Sequence, residues 1–166
     1  MQGWLEHERL GYNYRLSEIH AALGVAQLDR INTLLRSRER VAGGYDRALS
    51  GQSGIKLPLR SAGTKRSWFV YVVQLIGGRE ERDNVIAYLR SQDIGCQAYF
   101  PAIHTQPYLR SLLGDQEQDL PHTAFAASSC VALPFFSRMT QPEIEHVCDH
   151  LGRALELSHT ALPTAA

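Results

Sequence analysis

The sequence predicts an α/β fold preceded by a long helical segment, on three observations. Residues 17–49 contain no proline and place apolar side chains at mostly helical spacing. The run Trp68-Phe69-Val70-Tyr71-Val72-Val73-Gln74-Leu75-Ile76 is rich in β-branched and aromatic residues and stops at Gly77-Gly78. Beyond it, helix-like and strand-like segments alternate, and 166 residues suit one domain with a substantial core.

In the first segment, Ile19, Leu23, Ala26, Ile31, Leu34, Leu35, Val41, Ala42, Tyr45 and Leu49 trace one long helix or two in series. A single helix of that extent would be roughly 50 Å long, wider than a small domain, so part of it is expected to pack on something else. The cluster Ala21-Ala22-Leu23-Gly24-Val25-Ala26 has little side-chain bulk and would admit a second backbone. After a turn-rich stretch from Ser50 to Gly54, the 68–76 run reads as a strand buried on both faces at the centre of a short mixed sheet. Asp83 is expected to cap a helix with Val85, Ile86 and Leu89 facing inward, ending at Gly95. Cys96–Phe100 reads as a second strand, halted by Pro101. A short helix at Pro107–Leu113, a helical turn at Thr123–Ala127 and a strand at Cys130–Leu133 follow. Thr140-Gln141-Pro142-Glu143 matches a capping box, opening a helix striped by Ile144, Val147, Cys148, Leu151 and Leu155. The expected core is Phe69, Val70, Val72, Val73, Leu89, Ile94, Val131, Ile144, Val147 and Leu151.

Lys+Arg and Asp+Glu balance at 17 each, so no bulk charge draws the chain to nucleic acid or an anionic membrane. The longest apolar run falls far short of the ~20 residues of a membrane span. The first residues carry no leader pattern, so the expected location is the cytoplasm. Cys96, Cys130 and Cys148 are widely spaced without a CxxC pair, which argues against a disulfide framework or a zinc site. His146 and His150 lie one helical turn apart on a polar face without HExxH, so no metal site is expected. Nucleotide-binding glycine loops and hydrolase nucleophile motifs are absent from the sequence. Only Lys56 and Lys65 supply amines.

Two segments carry candidate chemistry. Asn13, Tyr14 and Arg15 directly precede a helix start, a layout suited to an anion because N–H groups and the helix dipole favour one there. A turn with packed tyrosines and an Arg15–Glu18 pair accounts for the same residues. His104 sits in a loop after a strand, between Pro101 and Pro107 and among aromatic rings, where either a binding or a structural role fits.

The string Gly11-Tyr12-Asn13-Tyr14-Arg15-Leu16-Ser17-Glu18-Ile19-His20-Ala21-Ala22-Leu23-Gly24-Val25-Ala26-Gln27-Leu28 resembles the segment joining the large and small domains of the DegT/DnrJ/StrS pyridoxal-phosphate sugar aminotransferases. The resemblance continues in order through Arg38, Arg40, Ala42 and Tyr45, the 67–75 strand, the Tyr99–Tyr108 loop with His104-Thr105-Gln106-Pro107, and Leu133-Pro134-Phe135-Phe136-Ser137-Arg138-Met139-Thr140. It implies the small C-terminal domain of a fold type I transferase, moving an amino group from an amino acid to a nucleotide-linked keto sugar with pyridoxal phosphate. It assigns Asn13, with Arg15 and Tyr14, to the cofactor phosphate held by a neighbouring subunit, and His104 and Tyr99 to the sugar-nucleotide pocket. The family's cofactor-binding lysine and the aspartate at the pyridine nitrogen lie upstream of the Asn-Tyr-Arg motif, and neither Lys56 nor Lys65 matches that lysine's motif. No catalytic residue is therefore assigned, and the chain alone is expected to be inactive and to bind no cofactor covalently.

The organisation this implies is an interdomain remnant at 1–16, a connecting helix or helix pair at 17–49, a small α/β domain at 50–157 and a flexible tail at 158–166. The expected partners are the keto sugar nucleotide and amino donor of the complete enzyme, with a homodimer or a pairing with a large domain. The alternatives are a non-catalytic binding or dimerisation module and one half of a split aminotransferase.

Overall fold

The computed structural model describes residues 11–116 and 118–160. The chain divides into two compact units, one ending at Thr33 and the other beginning at Leu34. In the first, Ser17 caps α1 (Glu18–Asp29), its backbone extended and its hydroxyl accepting the His20 N–H. A turn at Arg30 ends α1 and α2 (Ile31–Ala48) follows, so the helical stretch is a pair. The first ten residues of the expected interdomain remnant lie outside the described residues. No residue of α1 is buried; Ile19, Leu23, Val25 and Leu28 are all exposed, and a Cβ on Gly24 would meet no atom within 4 Å.

In the second unit, β1 (Ile55–Lys56), β2 (Tyr71–Leu75), α3 (Gly78–Ser91), β3 (Gln97–Ala98), α4 (Pro107–Leu113), α5 (Pro121–Ser129), β4 (Cys130–Leu133) and α6 (Gln141–Thr160) follow α2. The strands form one sheet in the order β1-β2-β4-β3. Every pairing is antiparallel, with Val73 opposite Val131 between β2 and β4 and Ala98 opposite Val131 between β3 and β4. The expected mixed sheet is thus corrected to an antiparallel one. The strand-helix-strand signal of β2, α3 and β3 is real, but β4 inserts between the two strands and runs against both.

One face of this sheet holds the core. Tyr71, Val73, Leu75, Val131 and Leu133 cluster with Val41, Ala42, Tyr45 and Leu49 of α2, Val85 and Leu89 of α3, and Ile144, Val147, Leu151 and Leu155 of α6. Along β2, buried and half-buried residues alternate. The expectation of a strand buried on both faces is corrected accordingly: Val70 and Val72 are half-buried, and Phe69 is 68% exposed. Strand alternation turns Val72 away from the core, and Phe69 and Val70 precede the strand, which begins only at Tyr71 after Trp68 adopts φ 42°.

The start of α3 also differs from expectation. It begins at Gly78, and the Glu81 carboxylate accepts the Gly77 N–H at 2.7 Å, while Asp83 pairs with Arg82 instead of capping. A helix that begins earlier leaves Asp83 inside it, where its side chain cannot serve the first-turn donors. The helix closes at Ser91, with Asp93 in the left-handed region ahead of Gly95. At α6 the capping box forms as read: one Glu143 oxygen accepts both the Thr140 N–H and its hydroxyl, each at 2.7 Å. This helix continues through Thr160, and the Ser158 hydroxyl donates to the Ala154 carbonyl, so it enters the segment read as a tail. Residues 161–166 lie outside the described residues. No helix among the described residues is long and apolar enough to cross a membrane.

Candidate functional site

In the N-terminal unit, residues 11–17 have no regular structure and every one is exposed. The Tyr12 and Tyr14 rings lie 5.6 Å apart at 41°, and Asn13 sits between them in sequence. Because the Ser17 hydroxyl ends the segment as the cap of α1, the amide of Asn13, the phenol of Tyr14 and the guanidinium of Arg15 project from the residues just before a helix N-terminus. All three present hydrogen-bond donors to solvent, the donor set an oxyanion requires.

In the second unit, the other candidates stand on the loop after β3. Tyr99 is half-buried and its ring meets that of Phe100 at 4.8 Å and 57°; Phe100 has φ 32°, a rare conformation for a residue with a side chain. Tyr99 also lines a cavity of about 270 Å³ with Trp68, Phe69, Val70 and Val72, on the sheet face that the helices leave uncovered. His104 occupies a 3₁₀ turn, Ile103–Thr105, held by the Thr105 N–H and hydroxyl, which donate to the Ala102 carbonyl at 3.0 and 2.7 Å. The imidazole is only 6% exposed, and neither ring nitrogen has a hydrogen-bond partner among the described residues. A buried polar group left in that state costs about 1–3 kcal/mol. His104 is not among the residues lining the Tyr99 cavity, although the same loop carries both.

His146 and His150 stack edge to face at 4.6 Å, and the His150 ring lies 6.0 Å from that of Tyr88. Among the described residues no cluster of His, Cys, Asp or Glu could hold a metal ion. Burial raises all three thiols above their ordinary range, with Cys148 pushed up to about 12, its burial reinforced by Asp149 and Glu145.

Sequence reasoning missed a polar network beneath the loop before β2. Tyr45 stacks on Tyr71 at 4.7 Å and Trp68 on Tyr71 at 5.7 Å, and each ring's polar tip is satisfied. Tyr45 donates to the Pro134 carbonyl at 2.7 Å, Tyr71 to Asp46 at 2.6 Å, and the Trp68 indole to Glu39 at 2.7 Å. Burial drives both phenol pKa values upward, so the rings are neutral donors. Arg60 bridges Glu39 and Asp46, which raises its own pKa, the Glu39 hydrogen bond being the largest cause. Arg82, buried, likewise joins the Ala127 carbonyl and Asp83. Glu39 and Asp46 for Arg60, and the Ala127 carbonyl for Arg82, lie far away along the chain and leave no local pattern in the sequence.

Residues 2–152 match the family model described as the DegT/DnrJ/EryC1/StrS aminotransferase family. A curated relative, the spore coat polysaccharide biosynthesis protein SpsC of Bacillus subtilis (strain 168), is 27% identical over 149 residues, covering 88% of this chain and 38% of SpsC. The uncharacterized protein MJ1066 of Methanocaldococcus jannaschii is 25% identical over 136 residues, with 81% and 35% covered. This chain therefore spans little more than a third of the length of these curated relatives. Among solved structures, S. venezuelae DesV in complex with a ketimine intermediate superposes with a TM-score of 0.80 at 25% identity, covering 95% of this chain and 41% of that one. PseC of Helicobacter pylori, an aminotransferase involved in the biosynthesis of pseudoaminic acid, shares the fold with a TM-score of 0.82 at 21% identity, with 92% and 41% covered.

Proposed function

Because the chain belongs to the DegT/DnrJ/EryC1/StrS aminotransferase family, we propose that it forms the C-terminal part of a pyridoxal-phosphate-dependent nucleotide-sugar aminotransferase acting in polysaccharide or amino-sugar biosynthesis. The observation that carries this reading is the family match over residues 2–152, in which the Asn13-Tyr14-Arg15 motif stands exposed ahead of a helix. The reaction moves the amino group of an amino-acid donor to a nucleotide-linked keto sugar and leaves the donor as a keto acid, in a cytoplasmic, dimeric complete enzyme.

The residues present fit the phosphate end of pyridoxal phosphate, since Asn13, Tyr14 and Arg15 are all donors, all exposed and adjacent in sequence. When bound, pyridoxal phosphate supplies the electron sink for amino transfer. In this reading Asn13 donates an amide N–H to a phosphate oxygen in the neighbouring subunit, Arg15 adds a fixed positive charge and Tyr14 a hydroxyl donor. Tyr99 and His104 serve the sugar nucleotide. A neutral imidazole has one donor and one acceptor, and the two unpartnered nitrogens of His104 suit it to orient hydroxyl groups of a sugar. Lys56, exposed on β1, and Lys65, exposed in the loop before β2, have no covalent role; the cofactor lysine and the pyridine-nitrogen aspartate belong to another part of the complete enzyme.

The test is to add pyridoxal phosphate to the 166-residue chain, reduce with borohydride and locate adducts by mass spectrometry. The expected result is no specific adduct on Lys56 or Lys65 and no amino transfer. A specific adduct at either lysine, with transfer to a keto sugar nucleotide, would overturn the division of labour proposed here. A non-catalytic dimerisation module is the second reading, favoured by the exposed apolar side chains of Ile19, Leu23, Val25 and Leu28 on α1. It predicts self-association without transfer even when the cofactor-lysine region is supplied.

A further inference from the structure

Between the first turns of α2 and the loop before β2 lies a cavity of about 370 Å³ whose wall carries Arg36, Arg60, Lys65 and Arg66. One carboxylate, Glu39, lines it, and Asp46 reaches Arg60 from outside. Cations thus outnumber carboxylates in the cluster. Two of them are anchored on the same buried ring: the Arg60 and Arg66 guanidiniums lie 5.1 and 4.7 Å from the centroid of Trp68. The indole is itself fixed by its hydrogen bond to Glu39, and it is only 3% exposed. Arg60 is therefore a held and neutralised wall. Lys65 and Arg66 differ, because among the described residues no carboxylate pairs with either. The hydroxyls of Ser61 and Thr64 also line the cavity, while Leu35 and Leu59 provide apolar wall.

Like charges gathered beside apolar surface repel one another, and the low dielectric of that surface strengthens their pull on an anion. The volume falls in the range of small-molecule sites and far exceeds one phosphate group. We propose that this cavity binds a phosphorylated small molecule carrying at least two negative charges, with Lys65 and Arg66 donating to the phosphoryl oxygens and Arg36 completing the cationic rim. The site uses none of the residues given roles in the aminotransferase reading, so it stands or falls independently of that reading.

Pyrophosphate and inorganic phosphate serve as probes, titrated separately into the full chain at low ionic strength and followed by calorimetry and phosphorus NMR. Pyrophosphate is expected to bind, and to bind more weakly as salt is raised. Lys65→Gln should weaken it about tenfold, the scale of one charge-assisted hydrogen bond. Arg66→Gln should do the same, and Arg153→Gln, exposed on α6, should leave it unchanged. Arg66 also stacks on Trp68, so circular dichroism melts accompany each variant; Lys65→Gln, which disturbs no such contact, decides the matter if Arg66→Gln unfolds. Equal affinity for inorganic phosphate would support a single phosphoryl group as the unit recognised. No binding at millimolar pyrophosphate, or equal loss in Lys65→Gln and Arg153→Gln, would overturn the proposal.

Discussion

Glu143 shows how a single side chain couples a local sequence pattern to stability. Its carboxylate accepts the Thr140 backbone N–H first and the Thr140 hydroxyl second, and both hold its pKa below the ordinary 4.5. A depressed carboxylate pKa stabilises the fold above the unfolded-state value, and that contribution disappears as pH falls through the folded-state pKa. Glu143→Gln is therefore expected to melt a few degrees at most below the parent near neutral pH. The difference should close below about pH 4.5, because a protonated glutamate and a glutamine cap alike. Melting temperatures measured across that window check it; a gap that persists or widens in acid would show that Glu143 acts otherwise. His104 illustrates the other kind of residue, legible as a candidate in the sequence but not as a buried, unpartnered imidazole, because burial is set by the loop packed around it.

Among the elements, Gly24 of α1 and Gly44 of α2 are opposites that the sequence does not distinguish. At Gly44 an added Cβ would sit 2.7 Å from Cδ1 of Ile144, a core residue of α6. Gly44→Ala is expected to destabilise the second unit by about 1–3 kcal/mol from overpacking, less the ~1 kcal/mol that alanine contributes to a helix. Ile144→Val in the same background should recover part of the loss by removing the methyl in conflict, as denaturant midpoints would reveal. Gly24→Ala meets open space and should raise the helicity of α1 in this chain by up to ~1 kcal/mol. A loss of stability at Gly24 confined to the complete enzyme would place that face of α1 against a partner. The elements after the His104 loop are the most legible: the short helix Pro107–Leu113 and the strand Cys130–Leu133 form over the residues their local pattern indicates, and the capping box opens α6. The start of α3 was not legible, because Glu81 and Asp83 are equally good acids in sequence and only the path of the backbone from β2 decides which one meets an N–H.

For the molecule as a whole, the residues proposed for the cofactor phosphate, Asn13, Tyr14 and Arg15, stand in the open. In the complete enzyme, Asn13→Ala is expected to raise the dissociation constant for pyridoxal phosphate about tenfold or more, the loss of one hydrogen bond to a charged group. Spectroscopic titration of the apoenzyme measures this, and unchanged affinity would remove Asn13 from the phosphate site. The two faces of the antiparallel sheet in the second unit differ in burial. Val70, Val72 and Tyr99 remain half-buried on the open face, while Val73 and Leu75 are fully buried beneath the helices.

The sequence by itself determined the kinds of elements, the motif Asn13-Tyr14-Arg15, the His104 loop and the shortage of lysine, because helical period, strand composition and capping chemistry are written over a few neighbouring residues. Tertiary structure alone decided that β4 lies between β2 and β3, that Phe69 turns outward, and that Trp68, Tyr71 and Tyr45 stack over Glu39 and Asp46. Those outcomes depend on contacts between residues such as Glu39 and Trp68 or Tyr45 and Pro134, far apart along the chain. Only the packed fold brings such groups within hydrogen-bonding reach, and the basic cavity around Trp68 exists for the same reason.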